Sequence, residues 1–251
     1  DAYTNQYDNK KPIAVITFDD GFFNNYSHAF PILKKYNIPA TVFLSTKFIE
    51  SSNTIWFCKI IHNIETSMEK EIYWNGGLLP IQSRNDKRLT SSKIQDDIKK
   101  LHPYEIENEL NNLLTLVKDS VNYNQTPFGM LTRKTIEEMQ DSKLVTFGAH
   151  THNHTILSNL SGNESENEIE NSLNQVMKLT GKRCNMFAYP NGGIDDYSQA
   201  HKSFLKKLDV SLAFSMKDGL SSRQDDYLEI KRLFISSHIN MKQFSAQVHG
   251  F

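Results

Sequence analysis

Residues 12–44 constrain the fold of this chain more than any other stretch. The apolar run Ile13–Ile16 continues to Phe18 and predicts a buried strand over Pro12–Phe18. Ala29, Phe30, Ile32 and Leu33 then fall on one face of a helix over Asn25–Tyr36. Ile38-Pro39 stops that helix, and Ala40–Leu44 reads as a second buried strand. Strand, helix and strand in that order predict a parallel sheet or barrel.

The same rhythm returns later in the chain. Thr135–Met139 is a helix feeding a strand at Leu144–Gly148. Ser161-x-x-Glu164 resembles a capping box, ahead of a helix with Ile169, Leu173, Val176 and Met177 facing inward. Asn185–Tyr189 is a strand ending in Pro190-Asn191-Gly192-Gly193, with Asp195 and Asp196 read first as a helix N-cap. Strands at Val210–Phe214 and Leu228–Ser236 and a helix near Met241–Val248 close the alternation.

Residues 51–130 break it. Ile55–Ile64 and Ser91–Leu101 read as helices, and Tyr73-Trp74-Asn75-Gly76-Gly77 as a hairpin turn. His102-Pro103 opens a helix with Ile106, Leu110, Leu113, Leu114 and Val117 on one face. This is a mostly helical insertion in a single domain spanning residues 1–251, a size that α/β barrels reach undivided. Trp56 and Trp74 are placed to stack on sugar rings or to pack in a core.

Charge narrows the ligand. The 28 Lys+Arg nearly cancel the 29 Asp+Glu, so no footprint for nucleic acid or an anionic membrane is present. A neutral or small ligand such as a glycan suits that balance. No run reaches transmembrane length and no signal peptide is visible. The chain begins at Asp1 without Met, as expected of a processed or trimmed product. Cys58 and Cys184 could pair, but two cysteines make no disulfide framework.

The chemistry is carried by two stretches. In Thr17-Phe18-Asp19-Asp20-Gly21, a strand delivers two acids to a glycine. In an extended strand those side chains would point to opposite faces, and Gly21 allows a turn that brings both to one site. Taken alone, Asp-Gly is a common turn signal with two solvated acids. The second stretch is Val145 to His154, in which His150 and His154 are four residues apart, the spacing of one face of a helical turn. Two histidines and one carboxylate make a three-ligand metal set with a position open to water. The metalloprotease motif of this spacing has Glu after the first His; Thr151 stands here, so the base must come from elsewhere. Asp19 and Asp20 can supply one ligand and one base between them. The candidate groups follow four different strands (Asp19 and Asp20; His150 and His154; Asn191; His238), as at the C-terminal face of a (β/α) barrel.

The Thr17–Gly21 stretch and His150-Thr151-x-x-His154 together resemble the first two motifs of the polysaccharide deacetylases, the NodB-homology group or carbohydrate esterase family 4. The similarity runs through Asn25–Leu44 and on toward the C-terminus, leaving roughly residues 51–130 outside it. The resemblance implies an α/β fold, a distorted, TIM-like (β/α) barrel of about seven strands. It also implies that Asp20, His150 and His154 bind the metal while Asp19 is the catalytic base. By the same resemblance the main chain of Asn191 stabilises the oxyanion, Tyr189, Pro190 and Asn191 contact substrate, and a late histidine is the general acid. His238 is the candidate for that last role and His249 the fallback; His152 is read as an exposed residue. The implied metal is Zn²⁺, with Co²⁺ and Ni²⁺ also compatible with His/carboxylate ligands. Two departures stand out. Many members have Arg two residues before the third motif's proline, where Ala188 stands; Arg232 is a candidate replacement. The fourth motif is only echoed, in Asp195-Asp196-Tyr197.

The expected activity is removal of N-acetyl groups from amino sugars of a cell-surface or extracellular polysaccharide. The expected partner is that acetylated polysaccharide or an oligosaccharide of it, with oligomeric state left open. The expected location is secreted, cell-surface or periplasmic, with cytoplasmic left open. Two other functions compete: a glycan-binding pseudoenzyme that retains the metal, and an O-acetyl esterase on the same scaffold.

Overall fold

The structure is a computed structural model that describes residues 13–115, 121–236 and 238–249. Its contacts divide the chain into two compact units, residues 1–49 with 131–251, and residues 50–130.

The first unit opens with β1 (Ile16–Phe18), shorter than predicted and only half-buried. Pro12 lies outside the described residues, and Ile13 and Val15 are exposed. β1 is an edge strand, which explains why its apolar run is not fully covered. The predicted helix over Asn25–Tyr36 is two pieces, a π-helical turn at Asn25–Ala29 and then α1 (Phe30–Tyr36). Phe30 and Leu33 face the core, whereas Ile32 points out. Asn37, left-handed at φ 53°, ends the helix ahead of Pro39, and β2 (Ala40–Leu44) follows fully buried.

The second unit contains α2 (Trp56–Thr66), the hairpin strands β3 (Glu71–Trp74) and β4 (Gly77–Pro80), α3 (Arg84–Ile98) and α4 (Pro103–Thr115). The hairpin turns on Asn75 and Gly76, both with positive φ, the geometry that matches strand twist. Ile60, Ile64, Ile72, Trp74, Ile94 and Leu110 lie in one apolar core of its own. Of the face predicted on α4, Leu110 and Leu113 are buried, and Val117 lies outside the described residues.

The first unit resumes with α5 (Arg133–Asp141), β5 (Val145–Ala149), α6 (Gly162–Thr180), β6 (Met186–Ala188), α7 (Gln199–Lys207), β7 (Leu212–Asp218), β8 (Ile230–Arg232) and α8 (Met241–His249). Ser161 and Glu164 form the predicted capping box of α6, but Met177 is exposed rather than inward. Among the described residues, six parallel strands in the order β1-β2-β5-β6-β7-β8 make one sheet; the resemblance implies about seven.

The sheet is curled into a half-barrel. Val42 and Leu44 of β2 point into the larger core beneath the helices, while Phe43 between them points the other way. Phe43 meets Phe214 of β7 at a ring separation of 5.2 Å, although two strands lie between theirs. Gly148 on β5 makes room for this contact: a Cβ there would lie 2.5 Å from the Phe43 ring. The two edge strands also meet, because Arg232 on β8 reaches Thr17 on β1 at 3.3 Å. Strand alternation thus separates a helix-covered face from a small inner cluster, and the curl brings the carboxyl ends of the strands together. Cys58 and Cys184 are both buried, and among the described residues the disulfide that two cysteines would allow is not made. Among the described residues, no helix is long and apolar enough to cross a membrane.

Candidate metal centre and active site

The two acids part company at the end of β1. Asp20 has φ 73° and Gly21 φ 82°, two left-handed residues in succession. Aspartate tolerates this conformation better than most residues. Gly21 is required on a second ground, since a Cβ there would stand 2.9 Å from Leu44 Cδ2. The bend breaks the strand alternation. Asp20 Oδ1 comes to 3.1 Å from His154 Nε2 and 3.5 Å from His150 Nε2. Asp19 is instead held by Arg232, whose Nη1 and Nη2 each donate to one carboxylate oxygen at 2.8 Å. Burial alone would raise the Asp19 pKa, but the charge His150 carries when protonated and then the Arg232 guanidinium outweigh it and keep it below its ordinary value.

The two histidines converge for a different reason from the one their spacing suggests. No helical turn is present; residues 150–155 are irregular, and Thr151 (φ 56°) and His154 (φ 55°) are left-handed. These bends set the imidazoles 5.0 Å apart, centroid to centroid. His150 is almost fully buried, and its Nδ1–H donates to the carbonyl of Ala188 at 2.7 Å. A carbonyl can only accept, so Nδ1 carries the proton and Nε2 presents its lone pair. Burial pushes the His150 pKa down, which favours this neutral form.

Asp20 Oδ1 is itself buried with no hydrogen-bond donor. A neutral imidazole lone pair and a carboxylate lone pair therefore face each other, an arrangement that is repulsive until a cation lies between them. Asp20, His150 and His154 each offer a ligand atom, all within 4.8 Å of one another. Metal–ligand bonds of about 2.0–2.1 Å at tetrahedral angles put ligand atoms roughly 3.3 Å apart, between the two separations measured here. The residues fit a metal of that coordination.

The third loop follows β6. Asn191 (φ 61°) and Gly192 (φ 64°) are both left-handed, and a Cβ on Gly192 would lie 2.8 Å from Met216 N. Asp196 holds the turn by accepting from Asn191 Nδ2 at 2.7 Å and Gly193 N–H at 2.6 Å. It is not the helix cap predicted for it; Ser198 caps α7, paired with His201. Of the residues named for substrate contact, Asn191 is exposed, while Pro190 and Tyr189 are buried. The Tyr189 hydroxyl donates to Leu228 O at 2.8 Å and its ring stacks on Tyr197 at 3.9 Å, so that side chain belongs to the interior. Trp56 is partly buried against the core of the 50–130 unit.

His238 lies exposed beyond β8, its N–H bonded to Ser236 Oγ, and is not a member of the Asp20–His150–His154 group. His249 ends α8 with Nδ1 on Ser245 O. His152 is half-buried rather than exposed, with Nδ1 2.8 Å from Thr46 Oγ1.

Arg232, the candidate replacement for the arginine missing at Ala188, bonds both Asp19 oxygens. Its Nε donates to Ser215 O at 2.9 Å, and Ser215 Oγ returns a bond to Ile230 O at 3.1 Å. The β7–β8 register slips between Phe214 and Asp218, and such an irregularity re-aims the side chains beside it. Position 188 still contributes to the site, through the carbonyl that orients His150.

The sequence pattern of the family described as Polysaccharide deacetylase matches residues 6–211. The chain belongs to the polysaccharide deacetylase family. It is 51% identical over 43 residues to a putative polysaccharide deacetylase, YxkH, of Bacillus subtilis (strain 168), covering 16% of this chain and 15% of that protein. It is 31% identical over 140 residues to the poly-β-1,6-N-acetyl-D-glucosamine N-deacetylase of Staphylococcus epidermidis, covering 50% of this chain and 43% of that one. The chain thus spans less than half the length of either curated relative. Among solved structures, Streptococcus pyogenes deacetylase PplD in complex with acetate superposes with a TM-score of 0.61 at 19% identity, over 98% of this chain and 74% of that one. That likeness supports the deacetylase barrel as the fold.

Proposed function

We propose that this polysaccharide deacetylase family member is a metal-dependent hydrolase that removes N-acetyl groups from amino sugars of a cell-surface or extracellular polysaccharide. The observation that carries this reading is the pair of unlike acids. Asp20 offers a donor-free oxygen to two imidazoles, while its neighbour Asp19 is ionised and held by Arg232. In this reading residues 1–251 form one catalytic domain, with the 50–130 unit as an insertion.

Asp20, His150 and His154 would hold the ion, Zn²⁺ or alternatively Co²⁺ or Ni²⁺. Bound there, a divalent ion supplies an acidified water and polarises the acyl oxygen. Asp19 accepts the proton of the attacking water as general base. Arg232, bonded to both Asp19 oxygens, keeps that carboxylate charged and fixes its direction. The main-chain N–H of Asn191, in a turn held by Asp196, donates to the oxyanion as charge develops. His238, the late histidine that the family resemblance nominates, is assigned delivery of a proton to the departing amine. The Staphylococcus relative, named for poly-β-1,6-N-acetyl-D-glucosamine, makes an N-acetylglucosamine polymer the substrate to try first.

The Asp19–Arg232 pair weighs against the pseudoenzyme, because a binder has no use for an oriented base. The test is acetate release from N-acetylglucosamine oligomers, with metal stripped and then restored. Release that returns with Zn²⁺ or Co²⁺ is the expected outcome. Binding of oligomers and metal with no release would favour the pseudoenzyme.

A further inference from the structure

The left-handed residues Thr151 and His154 strain the metal-binding loop, and such conformations persist only where the surroundings impose them. Part of the support is Thr155 N–H donating to Thr151 Oγ1 at 2.9 Å and Lys47 N–H, beyond β2, donating to His152 O at 2.9 Å. Ser45, Thr46 and Leu44 also bond residues 150–152, and further support comes from a side chain on α6. Glu168 Oε2 accepts the N–H groups of both His152 (3.0 Å) and Asn153 (2.8 Å), and Oε1 accepts from Asn153 Nδ2. One carboxylate thus takes two successive backbone donors and a side-chain donor, all from between the two metal-binding histidines. Glu168 stands on a fixed post, because Ser165, Ile169 and Ser172 around it on α6 are fully buried.

We propose that Glu168 is a positioning residue of the metal centre, setting the backbone between His150 and His154 so that both imidazoles face Asp20. This rests on the metal-dependent reading above. Removing the carboxylate strands three donors and releases the centre of the loop, while the ligands themselves stay in place. Outer groups that orient metal ligands typically alter affinity by about 10–100-fold when lost.

The experiment measures Zn²⁺ affinity by competition with a chromophoric chelator, and the ligand-field absorption of the Co²⁺-loaded protein, for wild type, E168A, E168D and E168Q. E168A is expected to bind about 10–100-fold more weakly with an altered Co²⁺ spectrum, while the metal-free protein keeps its thermal midpoint within a few degrees. E168Q keeps an oxygen for both backbone N–H groups, and an Asn153 amide flip restores the third bond, so it should recover most of the affinity. E168D, with the carboxylate drawn back, should fall between them and decides the matter if E168A does not fold. Wild-type affinity and spectrum in E168A, or in E168D where E168A is lost, would overturn the proposal while leaving the metal reading intact. So would an E168Q as weak as E168A. A wild-type protein that binds no metal would overturn both.

Discussion

Glu229 and Asp20 are carboxylates in the same sheet-bearing unit with inverted surroundings. Glu229, ahead of β8, accepts from Tyr197 Oη at 2.7 Å, from Lys202 Nζ at 3.0 Å and from Lys217 Nζ. Burial opposes its ionisation, but the bonds from Lys217, Tyr197 and Lys202 prevail and bring its pKa down to about 2. Asp20 has an oxygen with no donor at all, turned toward imidazole nitrogens. A surplus of donors marks a carboxylate that ties chain segments together. A deficit, kept in the interior among other lone pairs, marks one that awaits a cation.

The largest effect should come from emptying the deficit side. D20A is expected to lose metal by more than the 10–100-fold or so typical of an outer group, read as metal content after dialysis. Full occupancy in that variant would end the contrast. D19N should keep its metal and lose about 10²–10⁴ in kcat, the usual span for a general base. R232M should also keep its metal, with kcat about 10²-fold lower, the cost of a misplaced catalytic group. Near-normal rates in R232M would reduce the bidentate pair to a barrel contact.

The smallest effect belongs to the surplus side. Because the folded pKa of Glu229, about 2, is below its reference value of 4.5, its stabilisation is complete above about pH 4.5 and fades as pH falls toward 2. E229Q should therefore lose about 1 kcal/mol at neutral pH, with a shallower stability decline between about pH 5 and 2. Its turnover should stay near wild type. Urea midpoints across that range check it, and a parallel decline in both proteins would show that Glu229 holds nothing.

How much of this was legible in the sequence depends on how local the cause is. The strands around the two motifs and the α6 capping box follow from short-range patterns, whereas the grouping of Asp20 with His150 and His154 came from the resemblance to the family's motifs. The manner of that grouping follows from neither. A spacing of four suggested a helical turn, whereas two left-handed residues do the work, and no residue-type rule places Thr151 there. Asp196 had the look of a helix cap, but the competing donors at Asn191 and Gly193 are set by tertiary structure. Arg232 could be suspected from the gap at Ala188, yet only the curl of the sheet brings it to Asp19. Glu168 carries no sequence signal at all, since its partners are unremarkable backbone N–H groups on another element.

The side-chain link that Arg232 makes between the two edge strands has a consequence for how the protein is made. All three proposed metal ligands have been synthesised once residue 154 is added, whereas Arg232, which holds the proposed base Asp19, arrives only with β8, the last strand of the sheet among the described residues. A growing chain can thus complete its ligand set well before its base is aligned. On the proposed mechanism, alignment of the base would wait for the docking of β8.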